Sequence, residues 1–226
     1  MMLGLYLALN LAALWIVARA SPVSGWRLMV LLFVLGFVVG SANNLIEALF
    51  FNVLNPPQIL EAAGPAAIIF AVLAPVAVLL SGRLRAGAGA PTEPGGFTPL
   101  IVLCIVVAYE LLYWTAGTFV FPFVADFYAS RSLPPGYAVA ALQVVRSLIF
   151  VGAAYPLLKS GLRHAPLVLA LVYSLIGGIA PLLPDNPFMP ADIRLYHGIE
   201  VSVSNALFGL IVGYLFYWRK RVTVHA

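Results

Sequence analysis

Long apolar runs recur along the chain, each closed by a short cluster of charged, proline or glycine positions. A helix that crosses a bilayer needs roughly 20 mostly apolar residues. The pattern predicts seven such helices, at about residues 3–17, 26–51, 65–81, 98–121, 137–158, 165–183 and 195–217. The fold class expected is therefore all-α, an integral membrane bundle forming a single transmembrane domain over residues 1–226. Residues 83–97 are rich in glycine, alanine and proline and read as a flexible cytoplasmic linker between the third and fourth helices. Pro65 suits the first turn of the third helix, whereas Pro75 should kink it and Pro156 should bend the end of the fifth. The first run ends in VARAS, which imitates a signal-peptidase site, but no positive charge precedes it. A retained first helix is favoured over a cleaved one.

Two of the seven runs are polar at one end. The second closes in SANNLIEALFFN, where Asn43, Asn44 and Glu47 form a stripe at helical spacing. The seventh segment, from Pro190 to Tyr217, carries Arg194, His197, Glu200, Ser202, Ser204 and Asn205 in its first half and a lipid-compatible second half. His197 and Glu200 share a face that Ser204 continues one turn on. Glu110 falls near the middle of the fourth run, and Gln143 and Arg146 share a face of the fifth. At a rise of about 1.5 Å per residue, Glu47, Arg146, His197 and Glu200 reach compatible depths, with Glu110 deeper.

Composition sharpens this picture. The chain has 226 residues, of which 63% are hydrophobic and 9% charged. Soluble domains carry about 25% charged residues, so a water-soluble fold is excluded. The net charge of +4 does not signal nucleic acid, because the charges flank the apolar runs. With alternate loops assigned to opposite sides, one side holds nine cations: Arg19, Arg27, Arg83, Arg85, Lys159, Arg163, Arg219, Lys220 and Arg221. The other holds two, Arg131 and Arg194. Glu61, Asp126, Asp185 and Asp192 fall on this second side and Glu93 on the first. This bias predicts a cytoplasmic C-terminus and an N-terminus outside, in a membrane expected to be the bacterial cytoplasmic one. The lone Cys104 sits in an apolar run and allows no internal disulfide.

The candidate site is a buried set of Glu47, Glu110, Arg146, His197 and Glu200, supported by Asn43, Asn44, Gln143, Ser204 and Asn205. If all five ionisable groups converge, three carboxylates face one arginine, and two negative charges remain. Each unanswered charge costs roughly 2.5–3.5 kcal/mol at a helix centre. A proton, a protonated His197 or a bound cation would answer it, which points to a proton- or cation-linked function. A plainer structural reading stands beside this one: Arg146 with one glutamate forms an ion pair that fixes packing. His197 and Glu200 also offer two metal ligands from one face, a pattern of low specificity without a second histidine.

No catalytic or nucleotide-binding motif occurs, and no cofactor is specified. A small transporter or permease with an outward-facing site leads. An intramembrane enzyme acting on a lipid or lipid-linked substrate, with Glu200 or Glu47 as acid–base group and Arg146 as anion clamp, is the second reading. A non-catalytic subunit or assembly factor of a membrane complex is the third. The partners implied are the lipid bilayer and a small cation, proton or lipid-like ligand. Gly36-x-x-x-Gly40 and Gly209-x-x-x-Gly213 are close-packing signals, within the chain, in a homo-oligomer or with another membrane protein.

Overall fold

The computed structural model describes residues 2–85, 98–129, 133–184 and 189–224, without the side chains of Tyr128 and residues 218–224. Residues 86–97 of the linker, Arg131, Asp185 and the side chains of Arg219, Lys220 and Arg221 thus lie outside the described residues. Among the described residues there is helix and no strand. Seven helices are long and apolar enough to cross a membrane. They are α1 (Met2–Ala20), α2 (Gly25–Phe50), α3 (Pro56–Leu80), α4 (Pro99–Ala129), α5 (Gly136–Lys159), α6 (Ala165–Leu182) and α7 (Ala191–Val224).

Several helices outrun their apolar stretches. α3 begins nine residues before Pro65, because Asn55 and Gln58 form a reciprocal capping box. The Asn55 side chain accepts from the Gln58 backbone N–H at 3.0 Å, and the Gln58 side chain accepts from the Asn55 N–H at 2.9 Å. Pro56 and Pro57 then supply fixed φ in the first turn, where no N–H is needed. Pro65 and Pro75 are both internal to this continuous helix. α4 continues through Pro122 to Ala129, and α7 starts at Ala191, four residues ahead of the predicted start.

Two helices contain a π-helical turn that the apolar pattern does not announce. In α2 it spans Val38–Ala42 and in α6 Leu175–Ile179. The two turns pack against each other. A Cβ on Gly40 would lie 2.8 Å from the Ile176 side chain, and one on Gly177 would lie 3.1 Å from Val39. Glycine is what lets these widened turns approach.

The closest helix pair is α6 with α7. Cβ atoms on Gly209 and Gly213 would lie 2.5 Å from the backbone of Leu169 and Pro166, so both glycines are required for this approach. Gly36 and Gly40 instead accommodate the Phe70 ring of α3. Both glycine motifs are therefore occupied within the chain. Around the bundle, α7 also meets α4, α4 meets α5, α5 meets α2, α2 meets α3, and α1 packs on α3 and α6.

The connecting segments gather at two ends. At one end Arg83 donates to the carbonyls of Ala18 and Ser21, and Arg163 donates to Arg19 O at 3.0 Å. The backbone joins them through Gly25 N–H to Arg83 O at 2.9 Å and Arg163 N–H to Ala20 O at 3.0 Å. These are the loops assigned to the basic side, and their guanidinium groups satisfy the last carbonyls of α1, where cations also suit the helix dipole. At the opposite end Arg194 donates to Pro184 O at 2.6 Å, closing the α6–α7 connection.

Candidate functional site

A cavity of about 1120 Å³ occupies the end of the bundle opposite the basic loops. Every helix contributes to it from that end. Leu3 and Tyr6 come from the start of α1, Glu47 and Ala48 from the end of α2, and Pro65 and Ile69 from the outer part of α3. Tyr113 and Gly117 come from the second half of α4, Arg146 from α5, Pro181 from α6 and His197 from α7. The walls are mostly apolar.

Four of the five predicted ionisable residues line this one cavity: Glu47, Arg146, His197 and Glu200. They are arranged as two pairs. Arg146 Nη1 donates to Glu47 Oε1 at 2.7 Å and to Gln143 Oε1 at 3.0 Å. His197 Nδ1 lies 3.2 Å from Glu200 Oε2. His197 is also within electrostatic reach of Glu47 and Arg146, so the two pairs form one cluster. Arg146 is 4% exposed, which makes its neutralisation by Glu47 a requirement of burial rather than an ornament.

Glu110 does not join them. It is absent from the cavity lining, and its Oε2 accepts from Trp114 Nε1 at 2.9 Å one turn along the same helix. Tyr109, its neighbour in sequence, points inward and does line the cavity. A single step of about 100° around the helix separates the two directions. The charge sum changes accordingly. Two carboxylates, Glu47 and Glu200, line the cavity with Arg146, so the deficit is one negative charge, not two. A protonated His197 brings the cluster to zero.

The supporting residues divide as well. Asn44, Ser204 and Asn205 line the cavity, whereas Asn43 and Gln143 are buried behind it. Asn43 lies against the Tyr109 phenol, and Gln143 holds Arg146. Ser204 Oγ donates to the Glu200 carbonyl at 2.7 Å, a back-bond that does not involve the carboxylate. Asn205 is 4% exposed, and its Nδ2 has no hydrogen-bond partner among the described residues. The sequence reading missed Ser41, Gly117, Gly177 and Gly178 of the lining. Glycines in an apolar run carry no signal for a cavity, and Ser41 looked like part of an ordinary polar helix end.

No group of three or more His, Cys, Asp or Glu side chains among the described residues is placed to hold a metal ion. His197 and Glu200 use facing atoms on each other.

One turn further toward the basic end the cavity stops. Tyr109, Phe150, Tyr173 and Phe208, from α4, α5, α6 and α7, pack edge to face and offset there. The Tyr109–Phe208 and Phe150–Tyr173 centroids are 4.7 and 4.9 Å apart. Tyr173 Oη donates to Phe150 O at 2.9 Å, which satisfies the one polar atom of a fully buried ring. Phe150 is one turn beyond Arg146, Phe208 one turn beyond Ser204, and Tyr173 one turn before Gly177. The aromatic layer is thus the floor under the charged cluster.

These features define a polytopic membrane protein of seven apolar helices, with a charged cavity near one end and an aromatic layer between it and the basic loops. No protein-family model matches the chain, and no curated protein or solved structure matches it.

Proposed function

We propose that this protein is a small carrier, a transporter or permease, that takes solute from the side opposite its basic loops and couples its movement to a proton or cation. The observation that carries this reading is the position of the Glu47–Arg146 and His197–Glu200 pairs: in one cavity, toward the end opposite the basic loops, above an aromatic layer. The bias of basic residues makes the open side the outside, in a cytoplasmic membrane of bacterial type.

The coupling follows from charge. With His197 neutral, Glu47, Glu200 and Arg146 leave one negative charge. Either a proton on the cluster or a solute cation completes it, so the two compete for one site. That competition is the minimum device for exchanging a cation against a proton. The two π-turns at the same level, each a local widening of the helix, give α2 and α6 a place to flex while neighbouring turns stay hydrogen-bonded.

Reconstitution tests this. Liposomes carrying the protein and a lumenal pH-sensitive dye are given a pH gradient, and a panel of amines, carboxylates and neutral solutes is added singly. A carrier moves protons only with particular solutes, and Glu200→Gln and His197→Ala abolish the movement while unfolding midpoints stay in range. If no solute shifts the lumenal pH beyond protein-free liposomes, the carrier reading fails. Turnover of the liposome lipid, seen by chromatography, would point to the intramembrane-enzyme reading instead.

A further inference from the structure

We propose that the cavity binds an organic monocation, with its charged centre in the cavity beside Oε1 of Glu200 on α7, where Gly117 of the facing α4 adds no side chain. This rests on the cavity being a solute site, as above, but not on transport. Glu200 presents two oxygens in different directions. Oε2 is engaged by His197, and Oε1 faces α4. A Cβ on Gly117 would lie 3.6 Å from Oε1. Glycine in mid-helix is unfavourable for the helix itself; here a Cβ would already touch the carboxylate, and a longer side chain would crowd it.

Aromatic side chains of the same helix line the cavity. Tyr113 and Trp114 precede Gly117 by about one turn and line the cavity, with ring centroids 5.5 Å apart at an interplanar angle of 87°. Phe121 lines it one turn beyond. Ring faces carry negative quadrupole density and attract cations, alkylammonium types above all. The other charges leave Glu200 as the group to be answered. Glu47 is matched by Arg146 at 2.7 Å, and His197 supplies a positive charge only when protonated.

The same geometry argues against a bare metal ion. Hard divalent cations gather six or more oxygens, or near-ideal octahedral sets, and the described residues offer no cluster of three acidic or histidine ligands. A large, weakly hydrated organic cation needs one carboxylate, aromatic faces and apolar room. The cavity, at about 1120 Å³, supplies the room and slightly exceeds the range of pockets that take drug-sized ligands, roughly 300–1,000 Å³.

Two probes of equal shape and opposite charge test the proposal: tetraphenylphosphonium and tetraphenylborate. Binding of each to purified protein in nanodiscs is measured against protein-free nanodiscs. The phosphonium is expected to bind saturably to one site, and the borate at least tenfold more weakly. Glu200→Gln and Gly117→Leu should each weaken phosphonium binding at least tenfold, and Glu61→Gln, at an exposed acid, should not. Gly117→Ala, a smaller intrusion, keeps the test informative if the leucine variant fails to fold, and should weaken binding to a lesser degree. Absent saturable phosphonium binding, equal binding of the borate, or indifference to both Glu200 and Gly117 changes would overturn the proposal. Solute-driven proton movement without phosphonium binding would overturn this inference and leave the carrier reading standing. Phosphonium binding without any transport would do the reverse.

Discussion

The pair most open to a quantitative test is Glu47 with Arg146. Their atoms are 2.7 Å apart and their side chains are 19% and 5% exposed. At an effective dielectric of about 20, the attraction at that distance is about 6 kcal/mol, most of it offset by desolvation of the two ions. Removing one partner forfeits the attraction and keeps the other's desolvation, so Glu47→Gln should destabilise the protein by about 3–5 kcal/mol. Arg146→Met should cost a similar amount by stranding Glu47. The double variant, Glu47→Leu combined with Arg146→Met, removes both charges and leaves packing volume nearly intact. It should be far less costly than the sum of the singles, neutral or even stabilising by about 1–4 kcal/mol. The assay is reversible unfolding in mixed micelles, followed by helical circular dichroism, with Glu47→Leu alone completing the cycle. A single-variant cost below about 1 kcal/mol, or a double variant as unstable as the summed singles, would refute the claim that this is a desolvated, mutually dependent pair.

Two further changes probe the frame that holds the site, read by the same unfolding assay. Gly209→Ala should destabilise by about 1–3 kcal/mol despite its better helix propensity, because the new Cβ meets the Leu169 backbone at 2.5 Å and backbone has little room to yield; an unchanged or raised stability would contradict that packing. Asn55→Ala should cost about 1 kcal/mol by removing the capping box at the start of α3, and a change within about 0.2 kcal/mol would mean that the early start of α3 does not depend on it.

The number of spans and their order were legible because each needs only length and apolarity, which composition states directly. The ends of the helices were less so. Local capping by Asn55 and Gln58 set the start of α3, and that signal lay outside the apolar run. Depth was also legible: Glu47, Arg146, His197 and Glu200 meet where their distances from the helix ends place them. Azimuth was not. α4 is apolar nearly all round, so no stripe marks its inner face, and nothing in its sequence told that Tyr109 and not Glu110 faces the cavity. The π-turns share this opacity, since VVGSA and LIGGI read as ordinary helix. Both are fixed by contacts between distant segments, Gly40 against Ile176 and Gly177 against Val39.

The central claim is that the charged cluster lies in a cavity reached from the side opposite the basic loops. Its most direct test is reaction with a membrane-impermeant maleimide in a Cys104→Ser background. Ala116→Cys and Ser204→Cys place thiols on the lining, and Ala154→Cys places one in the sealed core beyond the aromatic layer. The account predicts that positions 116 and 204 are labelled on intact cells from outside and that position 154 is not. Labelling of 116 and 204 only from the cytoplasmic side after the membrane is opened, or equal reactivity at 154 from outside, would contradict it.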